Sequence, residues 1–199
     1  MSLAKAGCKV YELSRHAKEG TPGVEHLTAD MTDEASVQAA VAEVERREGR
    51  IDILVCNAGF GISGAAEYTS PDDAHAQLEL NLYGADRAAR AVIPVMRAQG
   101  GGRIVCMSSI AGILNAYVLA LQNEVRPFGI SVCAVMPGDI SSGFTSNRKK
   151  TLREDAYGGR VARSVAKMEH DEETGMSPET AGEFIAKTAL RKSSRPLIA

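Results

Sequence analysis

A chain of 199 residues can bury one sizeable core and is short for two, so a single domain over residues 1–199 is expected. Its 44% hydrophobic content is that of an ordinary globular protein, and 23 basic against 25 acidic residues leave a net charge of −2, too small for a long-range field toward nucleic acid or an anionic membrane. No stretch approaches the roughly 20 apolar residues of a bilayer span. The basic clusters at 148–150 and 191–195 carry no interleaved aromatics and read as solvated surface, so neither nucleic acid nor a membrane is expected as a partner. The first residues, with Lys5 and Lys9, lack the apolar region of a secretory signal. Cys8, Cys56, Cys106 and Cys133 form no CxxC and lie mostly in apolar runs, which points to reduced thiols and a cytoplasmic setting. His16, His26, His75 and His170 share no metal-ligand spacing, so no metal site is expected.

Along the chain, short apolar runs alternate with longer helical stretches. Residues 3–6 read as the last turn of a helix ended by Gly7, and residues 8–13 as a strand closing at Ser14 and Arg15. A second strand covers 24–28, and Thr32 is the expected cap of a helix through Glu48 that shows Val37, Ala40, Val41 and Val44 on one face. A buried strand follows at 52–56. Pro71 opens a long helix to about Gln99, residues 103–107 form another strand, and a helix over 115–125 leads into a strand over 130–136 that Pro137 and Gly138 stop. Five strands alternating with helices require crossovers, hence a largely parallel sheet. Residues 141–176 are polar and glycine-bearing, the composition of a lid over a ligand, and Ser177 with Pro178 starts a last helix ending near Lys192.

Ligands of open parallel sheets bind beyond the carboxyl ends of the strands, where loops and helix amino termini meet. Asn57-Ala58-Gly59 follows the strand at 52–56, where glycine admits backbone close to a ligand, although the same tripeptide also makes an ordinary turn. Ser108-Ser109-Ile110-Ala111-Gly112 places a hydroxyl at the sheet edge; a hydrogen-bonding loop serine is the plainer reading of Ser109 taken by itself. Asn81 sits inside the long helix, where its propensity is poor unless the side chain has a partner. Pro137-Gly138-Asp139-Ile140 ends the last strand.

Taken together and in order, Asp30, Asn57-Ala58-Gly59, Asn81-Leu82-Tyr83-Gly84, Ser108-Ser109-Ile110-Ala111-Gly112 and Pro137-Gly138 resemble the short-chain dehydrogenase/reductase family over almost the whole chain. The resemblance implies a Rossmann-like, doubly wound α/β domain of three layers (α/β/α), with 141–176 as the substrate lid. It implies NAD(P) across the strand ends: Asp30 at the adenine edge; Asn57, Ala58 and Gly59 along the ribose and nicotinamide; Pro137, Gly138 and Ile140 flanking the nicotinamide; and Ser142 near its carboxamide or the phosphates. Ser109 would donate a hydrogen bond to the substrate carbonyl and Asn81 would hold a water in a proton relay, so that hydride passes between the nicotinamide and a carbonyl or secondary alcohol. At the end of the first strand in this sequence, Arg15 with Ser14 favours NADP(H) over NAD(H). A homodimer or homotetramer packed through the helices around Asn81 and Asn115 is also implied.

The sequence departs from the family pattern in two places. The glycine-rich loop and first strand belong before Leu3, and the tyrosine followed four residues later by lysine belongs shortly after Gly112; neither stands in this sequence. Tyr117 is followed at that spacing by Leu121 and is not assigned catalysis. The chain is therefore expected to derive from a longer protein with segments before Leu3, between Leu114 and Asn115, and after Ala199. The alternative is a catalytically inactive nucleotide-binding or scaffold relative. A serine hydrolase is disfavoured, since Gly61-Ile62-Ser63-Gly64 is one residue short of the nucleophile elbow.

Overall fold

The computed structural model describes residues 2–16, 21–109, 112, 114–151, 156–191 and 195–198. In chain order, helix α1 (Ser2–Lys5) leads to strands β1 (Val10–Ser14) and β2 (Val24–Thr28), then α2 (Glu34–Glu48) and β3 (Ile53–Cys56). A short strand β4 (Ile62–Gly64) precedes α3 (Pro71–Leu78), one π-helical turn over Glu79–Tyr83, and α4 (Gly84–Ala98). There follow β5 (Gly102–Met107), α5 (Leu114–Val125), β6 (Ile130–Val135), α6 (Gly143–Ser146), β7 (Lys149–Thr151), α7 (Arg160–Glu173), α8 (Pro178–Leu190) and β8 (Leu197–Ile198). The expected helix from Pro71 to about Gln99 is thus continuous but for the wider turn that holds Asn81.

Local chemistry sets the helix ends. Ser70 and Ser177 accept from the backbone N–H groups of Asp73 and Thr180, with Pro71 and Pro178 at the first helical positions. Asp33, not Thr32, caps α2 by accepting from Ala35 N–H, because the Thr32 hydroxyl is already committed to Asp30 Oδ1 at 2.7 Å.

All strand pairs are parallel, as expected. The four-stranded sheet has the order β3-β5-β6-β8. Its central strands are covered on both faces, which is why they read as unbroken apolar runs. Ile104 and Cys106 of β5 and Ile130, Val132 and Ala134 of β6 pack under α2, α4 and α5, chiefly against Ala89, Val92, Met96, Val118 and Val125. Val105, Cys133 and Val135 face the other way, against Ala189 and Ile185 of α8 and Leu3 of α1. These are the three layers.

The sheet is not continuous. β1 and β2 form a two-stranded sheet of their own, and β4 with β7 forms another. The residues of β1 and β3 are only half-buried, where β5 and β6 hold runs of fully buried ones. A strand paired on one side leaves its other backbone edge and part of its side chains open. The β1–β2 unit is joined to the main sheet through its helix, since α2 packs on α4. Arg87 of α4 donates to the Met31 carbonyl at 3.2 Å, pairs with Glu79, and lies 3.7 Å from Glu34; Arg90 bridges Glu34 at 2.7 Å and Asp86 at 2.9 Å. Sequence reading missed β4, β7 and β8, whose two or three residues carry no period. Among the described residues no helix is long and apolar enough to cross a membrane, and no cluster of three or more His, Cys, Asp or Glu could hold a metal.

Arg87→Ala removes the central tie between the two sheets. Allowing for the partly exposed carboxylates, a loss of about 1 kcal/mol in chemical denaturation is expected. Hydrogen exchange should show the β1 and β2 amides opening well before those of β5 and β6; uniform loss of protection would contradict this division.

Candidate active site

Register decides where the strand ends meet. Cys56 stands opposite Cys106 and Met107 opposite Val135, so Asn57, Ser108 and Ser109, and Pro137 and Gly138 leave the sheet side by side along one edge. Asn57, Ala58, Gly59, Ser109 and Gly138 are exposed there. The structure therefore brings together the predicted residues that follow β3, β5 and β6.

The loop after β3 is fixed from the π-helical turn. Asn81 Oδ1 accepts from Phe60 N–H at 3.0 Å, and its Nδ2 donates to the Phe60 carbonyl at 2.9 Å. One side chain thus satisfies both backbone groups of a loop residue, as a strand partner would. Gly59 packs closely beneath it: a Cβ there would lie 3.1 Å from Asn81 Oδ1 and would press on the side chain that holds the loop. This is the partner that Asn81 needed in a helix, and Phe60 is a member of the site that the sequence did not single out.

The loops after β5 and β6 are bridged by Asn115, in the first turn of α5. Its Nδ2 donates to the Ser109 carbonyl at 2.9 Å and lies 3.4 Å from Met136 Sδ, while its Oδ1 is buried without a partner. Ser108 N–H donates to the Val135 carbonyl at 2.8 Å, and Ser108 Oγ is a second buried polar atom without a partner. Gly112 closes tightly here: its N–H donates to the Ser109 carbonyl at 2.9 Å, and a Cβ would stand 2.4 Å from Ser108 Oγ. Neither Ser108 nor Asn115 was a sequence candidate, and the only signal for Asn115 is its place at a helix start just past the serine loop. Ile110 and Ala111 lie outside the described residues.

After β6, Ile140 bridges to Met176; Met176 N–H donates to the Asp139 carbonyl at 2.9 Å and Ser141 N–H to the Met176 carbonyl at 3.0 Å. Gly138 has open space where a Cβ would be. Ser142 caps α6, accepting from Phe144 N–H at 3.3 Å. Within the 141–176 segment, Arg148 is almost wholly buried: one guanidinium nitrogen meets Glu172 Oε1 of α7 at 2.6 Å, and Thr145 donates to the other carboxylate oxygen at 2.5 Å. Burial pushes the Glu172 carboxyl up, but the bonds from Arg148 and Thr145 outweigh it and hold the group below its usual value. Arg148 lies 5.4 Å from the Phe144 ring centre and presses against Gly61, where a Cβ would meet its Nε at 2.9 Å.

On the two-stranded sheet, Arg15 and Asp30 follow β1 and β2, and Ala29 N–H donates to the Ser14 carbonyl at 3.1 Å. Asp30 accepts from Thr32 N–H at 2.9 Å and from its hydroxyl; these bonds, with the charges of Arg15 and Arg87, hold its carboxyl below the usual range. Arg15 is exposed.

The tyrosines are placed elsewhere. Tyr117 donates to Asp86 Oδ1 at 3.0 Å inside the core, where burial and the Asp86 charge keep the phenol protonated. Tyr11 bonds Glu48, Tyr68 and Tyr157 stack edge-on, and Tyr83 is exposed on its helix. Leu114 and Asn115 are consecutive residues of α5. Cys56 is half-buried, its Sγ 3.9 Å from the Ala85 carbonyl, and the neighbouring Cys106 thiol together with desolvation pushes its own thiol well above the usual value.

A profile of the short chain dehydrogenase family matches residues 1–153. The 3-ketodihydrosphingosine reductase of Bacteroides thetaiotaomicron is 35% identical over 209 residues, covering 96% of this chain and 78% of the relative. That alignment is longer than the 199-residue chain, so the relative carries residues with no counterpart here. A probable short-chain type dehydrogenase/reductase of Helicobacter pylori is 27% identical over 163 residues, with 72% of this chain and 60% of that protein covered. Among solved structures, a short-chain dehydrogenase from Streptomyces avermitilis superposes with a TM-score of 0.85 at 26% identity, covering all of this chain and 82% of the other. The chain belongs to the short-chain dehydrogenase/reductase family, whose members are oxidoreductases acting between alcohols and carbonyl compounds with NAD(P), and it has that family's Rossmann-like fold.

Asn81→Ala leaves the Phe60 N–H without its Asn81 partner and the Phe60 carbonyl with only Gln77 Nε2 at 3.3 Å, and should lower stability by about 1–3 kcal/mol in urea titrations. Asn81→Asp should be as damaging near neutral pH, since a carboxylate would face the Phe60 carbonyl without a donor. An Asn81→Asp protein of wild-type stability would contradict the assigned bonds.

Proposed function

We propose that this chain carries the cofactor-binding and substrate-orienting residues of an NADP(H)-dependent oxidoreductase that interconverts a carbonyl compound and its secondary alcohol. The observation that carries this reading is the meeting of the loops after β3, β5 and β6 on one sheet edge, with Asn57, Gly59, Ser109 and Gly138 exposed along it.

The residues present suit the cofactor at its two ends. Gly138 has open space above it, and Gly59 and Asn81 hold the Asn57–Ala58–Gly59 backbone in a fixed turn that a flat ring could approach. Asp30 is ionised and already oriented by Thr32, ready to accept from the exocyclic amine of adenine. Arg15 would pair with a ribose phosphate, which favours NADP(H), with NAD(H) as the weaker ligand. Pro137 and Ile140 would wall the nicotinamide, and Ser142, through its hydroxyl at the start of α6, would reach its carboxamide. When bound, the nicotinamide supplies or accepts the hydride.

Ser109 would orient the carbonyl by donating a hydrogen bond, and Asn81 would support the proton relay by fixing the loop that faces it. A proton must also reach the carbonyl oxygen, and a serine alone supplies none at neutral pH. None of the five tyrosines is followed four residues later by lysine. The direct join of Leu114 to Asn115 in α5 favours a second reading for the chain as it stands, a nucleotide-binding relative that binds cofactor and turns over little. The ketone named for the Bacteroides relative, 3-ketodihydrosphingosine, is the first substrate to test. Tyr83 and Leu119, exposed on the helices around Asn81 and Asn115, suit the expected homodimer or homotetramer.

In fluorescence titrations NADPH should bind more tightly than NADH, and Arg15→Glu should reverse the order; an unchanged preference removes the NADP(H) assignment. With ketone supplied, Ser109→Ala should depress turnover at least tenfold while leaving NADPH affinity within twofold. NADPH binding with no turnover in the wild type would establish the second reading.

A further inference from the structure

β4 and α7 flank an open groove of about 490 Å³, a volume within the range of about 300–1,000 Å³ of small-molecule sites. Its walls are Ile62 of β4, Val161, Val165 and Met168 of α7, and Tyr157, which Tyr68 braces edge-on at 6.2 Å. Val161, Val165 and Met168 recur at helical spacing on the side of α7 turned toward β4. Among the described lining residues Ser63 and Ser164 are the uncharged polar exceptions and Arg160 the one charged residue, exposed in the first turn of α7. Val165 is buried, but Ile62, Val161 and Met168 stay half-exposed along the groove.

The groove begins at Ile62, three residues beyond Gly59 of the site. Ile62 follows the Asn57–Ala58–Gly59 turn and Phe60 within a few residues. Gly61 is fixed from below by Arg148 and from the side by Lys149 N–H, which donates to its carbonyl at 2.9 Å, and that pairing continues into β4–β7. The direction of β4 is therefore fixed, and it leads from the exposed edge at Gly59 into the groove.

Resting on the oxidoreductase reading above, we propose that this groove binds an unbranched aliphatic chain attached to the reacting carbonyl, so that the chain's substrates are aliphatic ketones rather than compact polar ones. Ile62, Val161 and Met168 cover successive methylenes, and the Arg160 stem flanks the open end with its guanidinium in water. The physical signature of such a site is affinity that grows with each methylene until the groove is full.

Calorimetric titration of the full chain with 2-hexanone, 2-octanone, 2-decanone and 2-dodecanone reads this directly. Affinity should rise about two- to fourfold for each methylene buried, then level off. Met168→Asp should flatten the series, and Met168→Trp should move the plateau to shorter chains. Ala166→Asp, on an exposed position of α7 outside the groove, should leave the series unchanged. NADPH affinity, measured in parallel, should be the same in all three variants and certifies that they are folded. A flat series in the wild type, or an equal slope in Met168→Asp, overturns the groove assignment. A wild type that shows the methylene series but binds no NADPH keeps the groove and removes the cofactor reading instead.

Discussion

Strands buried on both faces tolerate one register only. A slip of β5 by a single residue would turn Ile104 and Cys106 away from α4 and α5 and thrust Val105 toward them, and the same holds for Val132 and Ala134 against Cys133 on β6. The two-sided burial of β5 and β6 therefore does more than stabilise. It sets the positions at which the chain leaves the sheet, and so it aligns Asn57, Ser109 and Gly138 along one edge. Asn81 on Phe60 and Asn115 on Ser109 then tighten an alignment that the core has already imposed.

The two-stranded sheet, where the proposed ribose-phosphate and adenine contacts lie, depends on weaker links. Arg15 and Asp30 belong to a two-stranded sheet joined to the rest through α2, α4 and the partly exposed charges of Arg87, Arg90 and Glu34. Such pairs contribute modestly and are screened by salt. The molecule thus combines a firmly packed edge along β3, β5 and β6 with a more loosely held one at β1 and β2.

The fold was legible in the sequence wherever burial left a period. The apolar runs of β5 and β6 and the face of α2 at Val37, Ala40 and Val41 fall as read, and serine and proline mark the starts of α3 and α8. Three-residue strands such as β4 and β7 have no period to read, and the division of the sheet depends on which edges meet in space. Asn57, Ala58, Gly59, Asn81, Ser109, Pro137, Gly138 and Ile140 could be named because each stands at a strand end or disobeys helix propensity. Asn115 and Arg148 could not, because an asparagine starting a helix and an arginine in a basic run look ordinary until their burial is known. Thr32 was read as a cap because the sequence does not show that Asp30 claims its hydroxyl.

The buried pair of Arg148 and Glu172 has a mechanical consequence. Separating the two would leave a charge stranded in a dry interior, which is far costlier than sliding an apolar surface. Thr145 on α6 holds the same carboxylate, so α6, the chain through Arg148 and the end of α7 are riveted into one plate. Gly61 lies flush against that plate, its missing side chain leaving just enough clearance for the guanidinium. A displacement of this segment would therefore carry the plate as a unit, because bending at its centre would part the buried pair.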